Sequence, residues 1–205
     1  MRSLTTDSLP HVVHCLAMLA SSRLHTAVAR LVAAWWGVEL GPRCSFYGVP
    51  LFRRHPGSRI RIGRACVFRS TCASNPLGVN HRCLVSTLSE QAVVNIGAES
   101  GFSGSVIAAM AEILIGDRVL CGANTVITDT DWHALQPSDR LREVPPLAAP
   151  VHIGADVFIG MNSVVLKGVS IGAGSVVAAN SVVVSDIPGN VLAAGVPARV
   201  VRELV

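Results

Sequence analysis

Charge and aromatic rings are what this 205-residue sequence has least of: 15% of residues are Asp, Glu, Lys or Arg, and 4% are Phe, Trp or Tyr. Soluble domains usually carry about 25% charged residues. The few, scattered rings offer no platform on which nucleic-acid bases would stack, which argues against a single-strand binder. Lysine is nearly absent, with Lys167 alone; the other sixteen basic side chains are arginine. None of the six cysteines (Cys15, Cys44, Cys66, Cys72, Cys83, Cys121) forms a CxxC pair, so neither a zinc ribbon nor a redox dithiol is expected. Reduced thiols in a cytoplasmic protein are the simplest account.

With half of its residues hydrophobic, the chain is neither disordered nor collagen-like, and its length suits one domain, or one plus a small appendage, with its own core. Membrane spans need closer inspection. Gly168–Ser185 is free of charge for eighteen residues, but Gly and Ser interrupt it at regular spacing. A spanning helix needs about 20 mostly apolar residues. Leu9–Ser22 is also uncharged, yet Arg23 and Arg30 follow closely. Asp7 and Pro10 at its start, with no clear small-residue cleavage site after it, argue against a signal peptide.

What is present is a repeat. Apolar residues return every six positions at Ile153, Ile159, Val165, Ile171, Val177 and Val183. Four residues after each stands a small or β-branched residue: Val157, Ser163, Val169, Ser175, Ser181 and Ile187. Gly154, Gly160 and Gly172 follow the lead residue, and the same phase occurs upstream at Ile115, Cys121 and Ile127. Six is neither the helical nor the strand period. It fits short strands joined by tight corners, with one inward residue per strand and Gly where the corner requires open backbone angles. The expected fold is a parallel β-solenoid, each coil pairing with the coils above and below.

Residues 1–36 precede the repeat. Val12, Leu16, Leu19, Leu24, Val28, Leu31 and Trp35 recur at helical spacing after Ser8 and Pro10, which predicts one or two amphipathic helices. Arg23, His25 and Arg30 fall off that stripe. A cap over the open first coil is the plain account; a membrane-surface helix near a lipid-linked substrate is the alternative. The hexads run over residues 37–190, with an excursion at 128–150 rich in Asp, Arg and Pro, and 191–205 forms a closing segment. A long loop on a rigid scaffold is a common place for chemistry.

Of seven histidines, His133 stands out, because it lies in that excursion with Asp129 and Asp131 just before it. A neutral imidazole there can accept a proton near neutral pH, and a carboxylate can fix its tautomer. Cys121 occupies an inward slot and reads as core, not nucleophile. Six arginines between Arg53 and Arg69 suit either a solvated face or an anionic partner.

The hexads resemble those of the hexapeptide-repeat acyltransferases. The stretches Ile127-Thr128-Asp129-Thr130-Asp131-Trp132-His133-Ala134-Leu135 and Val191-Leu192-Ala193-Ala194-Gly195-Val196-Pro197-Ala198-Arg199 look like the sugar and polysaccharide O-acetyltransferase branch. More loosely, Cys44–Gly104 is similar to surface-polysaccharide members. The resemblance implies a left-handed parallel β-helix, a homotrimer, and direct transfer from acetyl-CoA to a hydroxyl of a sugar or polysaccharide precursor. His133 would be the general base, with Asp131 and Asp129 beside it. Gly160 and Met161 would flank the thiol end of the coenzyme, Ala179 its arm, and Val184 and Ser185 its outer part. Arg199 and Arg202 would meet the phosphates, and Ser103 would stand near the acceptor.

The sequence departs from that pattern at Phe158, where many relatives have Trp, and at Met161, where many have a polar residue. It departs again at Val184-Ser185, where relatives have a Thr-Lys pair. No metal is expected. Other readings of the same solenoid are a non-catalytic scaffold, an N-acyltransferase, and a γ-type carbonic anhydrase, which needs three zinc-binding histidines on neighbouring coils. The location expected is cytoplasmic, peripheral at the inner membrane face if the helix meets lipid.

Overall fold

The six-residue period closes into three walls. In the computed structural model, which describes residues 7–204, each coil gives one strand to each wall of a left-handed parallel β-helix. Wall A stacks β1 (Glu39–Leu40), β4 (Arg59–Ile62), β7 (Val93–Ile96), β10 (Glu112–Ile115), β13 (Val151–Ile153) and β16 (Ser170–Ile171). Wall B stacks β2 (Ser45–Tyr47), β5 (Val67–Arg69), β8 (Gly101–Ser103), β11 (Leu120–Ala123), β14 (Phe158–Ile159), β17 (Val176–Val177) and β19 (Val191–Gly195). Wall C stacks β3 (Leu51–Arg53), β6 (Leu84–Thr87), β9 (Val106–Ala109), β12 (Val126–Thr128), β15 (Val164–Val165) and β18 (Val182–Val183). A final strand, β20 (Ala198–Glu203), turns back antiparallel on β19.

Strand alternation sends one or two residues per strand inward, and parallel register stacks those residues in columns. Wall A contributes Ile62, Ile96, Ile115, Ile153 and Ile171. Wall C contributes Phe52, Val85, Ile107, Ile127, Val165 and Val183. On wall B the first three coils carry stacked rings, Phe46 on Phe68 at 5.2 Å and Phe68 on Phe102 at 5.0 Å. Cys121, Ile159, Val177 and Ala193 continue that column. All of these side chains are buried, and each aliphatic or aromatic one contributes roughly 1.5–3 kcal/mol.

The corners have their own residue rules. Leaving wall A, Gly41, Gly63, Gly97, Gly116, Gly154 and Gly172 form a ladder in which each glycine faces the backbone of the next coil. A Cβ on Gly116 would sit 2.6 Å from Ala155 N, and one on Gly154 would sit 2.6 Å from Ala173 N. Between walls B and C the corner residues are Asn124, Asn162 and Asn180, with φ of 60°, 57° and 58°. Asn tolerates this left-handed conformation. Their amides form a second ladder, Asn124 Nδ2 to Asn162 Oδ1 at 3.3 Å and Asn162 Nδ2 to Asn180 Oδ1 at 3.2 Å.

The first coil needs a lid because β2 has a strand on one side only. One continuous helix, α1 (Leu9–Trp35), supplies it with its small and polar face. Ser22, Ala29 and Ala33 are its buried residues, while Leu16, Leu24, Leu31 and Trp35 are exposed. Small side chains let the helix approach closely, and polar ones satisfy the open strand edge. Phe46 N donates to Thr26 Oγ1 and Gly48 N to His25 Nδ1, both at 3.0 Å. The off-stripe residues therefore make the cap, and the apolar stripe is left outside.

Candidate active site

Two excursions leave the solenoid, residues 70–83 from the corner between walls B and C and residues 129–150 from the corner between walls C and A. The second carries His133. Its two ends zip together through a Thr130–Ala148 bridge, Asp131 N to Leu147 O at 3.1 Å and Ala149 N to Asp129 O at 2.9 Å. Between them, a short helix, α2 (Pro137–Leu141), is held by Arg140, whose guanidinium donates to Ala134 O and Leu135 O.

The structure gives the two acidic residues duties different from those expected. Asp129 is buried, and its carboxylate accepts from Met110 N and Ala111 N, both at 2.7 Å. Burial pushes this carboxyl above its ordinary value, and the two backbone donors pull the other way. Asp131 Oδ1 accepts from Lys167 Nζ at 2.7 Å, while its Oδ2 is buried without a hydrogen-bond partner, as is Thr128 Oγ1. Among the described residues, neither carboxylate hydrogen-bonds the His133 imidazole, so Asp129 in particular does not set its tautomer. Both anchor the backbone that carries it: His133 N donates to Asp131 O at 2.8 Å. Between them Trp132 takes φ 66°, a left-handed conformation uncommon for so bulky a residue.

His133 is exposed and lines a cavity of about 250 Å³ with Trp132, Ala134, Arg140, Glu143 and the Pro145-Pro146 pair. Complete ligand pockets commonly measure about 300–1,000 Å³. This one is smaller and open.

The other candidate residues lie elsewhere. Gly160, Met161 and Ala179 stack at the corner between walls B and C, and Ser103 ends β8 at the same corner. Gly160 is buried, and its missing Cβ admits the backbone of Ala179; Ala179 itself is exposed. Ser103 also lines a separate cavity of about 310 Å³ on wall B with Arg69, Glu99, Leu120 and Phe158. Ser185, exposed, follows β18 at the His133 corner, next to exposed Val184. The expected coenzyme residues are thus divided across the width of wall C.

Arg199 and Arg202 would face opposite ways in a regular strand, being three apart. A register shift in β20 pairs them with Ala194 and Leu192, which share the outward face of β19. Both arginines are exposed and, among the described residues, neither meets a carboxylate. Two guanidinium groups on one face suit phosphate recognition. The Arg53–Arg69 cluster behaves differently. Arg61 pairs with Glu39, Arg64 with Glu99, Arg54 holds Trp36 O and Ser58 O, and Arg69 lies over Tyr47 while donating to Ser74 O. Four of its six members therefore bind neighbouring parts of the fold.

Cys121 is buried, and burial pushes its thiol well above the ordinary value, which is unsuited to a nucleophile. His152 lies outward beside Glu112 at 3.1 Å. Among the described residues, no three His, Cys, Asp or Glu side chains gather into a metal-binding group. Sequence reasoning left two participants without roles: Lys167, which clamps Asp131, and the Asn ladder, whose Asn124 Oδ1 accepts from Asn80 N at 2.8 Å and so ties the 70–83 excursion to the wall. The signal for the ladder was the separation of Asn162 and Asn180 by one coil, 180 − 162 = 18 residues.

Comparison with known proteins gives a consistent picture. The sequence profile of a family described as the hexapeptide repeat of succinyl-transferase matches residues 150–185. Galactoside O-acetyltransferase of Escherichia coli is 41% identical over 95 residues, 45% of this chain and 44% of that protein. A 2,3,4,5-tetrahydropyridine-2,6-dicarboxylate N-acetyltransferase of Clostridium perfringens is 53% identical over 60 residues, 29% of this chain and 25% of that one. The matched stretches span less than half the length of these curated relatives. Among solved structures, a hexapeptide-repeat acetyltransferase of Vibrio cholerae complexed with acetyl coenzyme A is 30% identical with a TM-score of 0.50, covering 88% of this chain and 76% of that one.

Proposed function

Because the chain belongs to the hexapeptide-repeat acetyltransferases, we propose that it moves an acetyl group from acetyl coenzyme A to a hydroxyl of a sugar or polysaccharide precursor. The observation that carries this reading is the exposed His133 imidazole, presented on a backbone fixed by Asp129 and Asp131, neither of which hydrogen-bonds its ring. In this scheme His133 takes the proton of the acceptor hydroxyl as that oxygen bonds to the thioester carbonyl carbon. The tetrahedral intermediate then expels the coenzyme thiolate, which receives the proton from His133. Holding both substrates in one cleft supplies the proximity term. Arg199 and Arg202 bind the coenzyme phosphates, and the small, exposed Ala179 leaves room for its arm.

The division of these residues between two corners supports a homotrimer in which the His133 corner of one copy faces the Ala179 corner of the next. The two half-sites then form one cleft, and Ser103 comes to the acceptor side. We place the enzyme in the cytoplasm, where its buried thiols stay reduced, at the inner membrane face through α1. An amine acceptor is the second reading, favoured by the identity to the Clostridium perfringens N-acetyltransferase.

Thiol release from acetyl coenzyme A, measured against a panel of sugars, nucleotide sugars and amino sugars, tests the proposal. Turnover with a hydroxyl acceptor is expected. Turnover confined to amino sugars would establish the second reading, and absence of both turnover and coenzyme binding would leave a scaffold.

A further inference from the structure

The outward face of α1 carries no charge over its full length. Val13, Leu16, Leu24, Leu31 and Trp35 recur along it, and Leu24, Leu31 and Trp35 are 66%, 72% and 87% exposed. A contiguous apolar stripe of this kind marks an interaction surface. At 27 residues the helix is about 40 Å long, and it is long and apolar enough to cross a membrane. Its other face, however, is fixed to the first coil by Ala29, Ala33 and the bonds from Thr26 and His25. Spanning would require stripping that face from the solenoid, so the helix is built to lie flat.

Charge identifies what it lies on. No Asp or Glu occurs between Ser8 and Val38; exposed Arg23 flanks the stripe, half-buried Arg30 beside it reaches back to Gly41 O, and Arg54 holds the backbone of Trp36 at its end. Pairing two such helices would bring arginines together with no carboxylate on either helix to meet them. Anionic headgroups meet them directly, and arginine stems reach outward from an apolar face to a charged interface. Trp35 and Trp36 close the helix where indole rings favour the headgroup level. We infer that α1 docks flat on an anionic bilayer, with the Val13-to-Trp35 stripe in the acyl boundary and Arg23 at the headgroups. The inference rests on the membrane-face location proposed above and not on the catalytic reading.

Flotation of the full chain with vesicles tests it. Wild-type protein is expected to float with phosphatidylcholine vesicles containing phosphatidylglycerol, more weakly with phosphatidylcholine alone, and less as salt rises. The double variant Leu24→Gln/Leu31→Gln, altered only on the exposed face, should keep the wild-type melting temperature and bind vesicles at least about tenfold less. Equal binding by that variant, or a wild type that stays unbound at every lipid concentration, would overturn the inference. So would a wild type that ignores lipid but self-associates through the stripe and is dispersed by the double variant. A catalytically inactive His133→Ala protein should float like wild type, which separates failure of docking from failure of the acetyltransferase proposal.

Discussion

His133→Ala is expected to lower kcat/KM for acetyl transfer by roughly 10²–10⁴, the usual contribution of a positioned general base. The substitution is clean in physical terms. The ring is exposed, and the backbone bond from His133 N to Asp131 O does not need the side chain. The anchors below it, Asp129 on the Met110 and Ala111 amides and Asp131 on Lys167, are also untouched. Melting temperature and affinity for coenzyme A should therefore stay at wild-type values while turnover falls. Full activity in a folded variant would remove His133 from the chemistry.

Gly116→Ala should produce a large loss of stability for a small chemical change. The added Cβ meets Ala155 N at 2.6 Å, and backbone can retreat only by opening the strand pairing between β10 and β13. Overpacking of this kind costs about 1–3 kcal/mol. For a chain of this size that corresponds to a melting temperature lower by roughly 2–12 °C. Ala173→Ser, at an exposed position of the same corner line, should melt like wild type. A Gly116→Ala protein with unchanged melting temperature would mean that the glycine ladder does not set the spacing of the coils.

The solenoid was legible in the sequence because its physics is periodic. Each inward Ile or Val answers to one strand, so Ile153, Ile159 and Val165 reveal the fold without any long-range information. The hexads resume at Val151 for the same reason, and the excursion before it stands out as a break in the rhythm. The helix was legible as a helix, but its period identifies an apolar face and not which face touches protein. Small residues and hydrogen-bonding side chains cover a strand edge better than leucines, and Ser22, Thr26 and Ala29 won that position. The carboxylates were read by proximity along the chain to His133. Asp129 instead answers to amides 19 and 18 residues earlier, on the preceding coil, a contact that only coil stacking creates. Arg199 and Arg202 needed the register shift in β20 to share a face, and no spacing rule contains it.

The central claim is that the site is assembled from the His133 corner of one copy and the Ala179 corner of its neighbour. Complementation measures this directly. His133→Ala removes the base, and Ala179→Trp, at an exposed corner, fills the space for the coenzyme arm; each variant alone should be nearly inactive. Co-assembled in equal amounts under two affinity tags, they should recover roughly a quarter of wild-type activity. Random assortment around a cyclic trimer leaves about that share of interfaces with an intact His133 facing an intact Ala179. Mixed assemblies with no more activity than the separate variants would contradict the account and put both halves of the site within one chain.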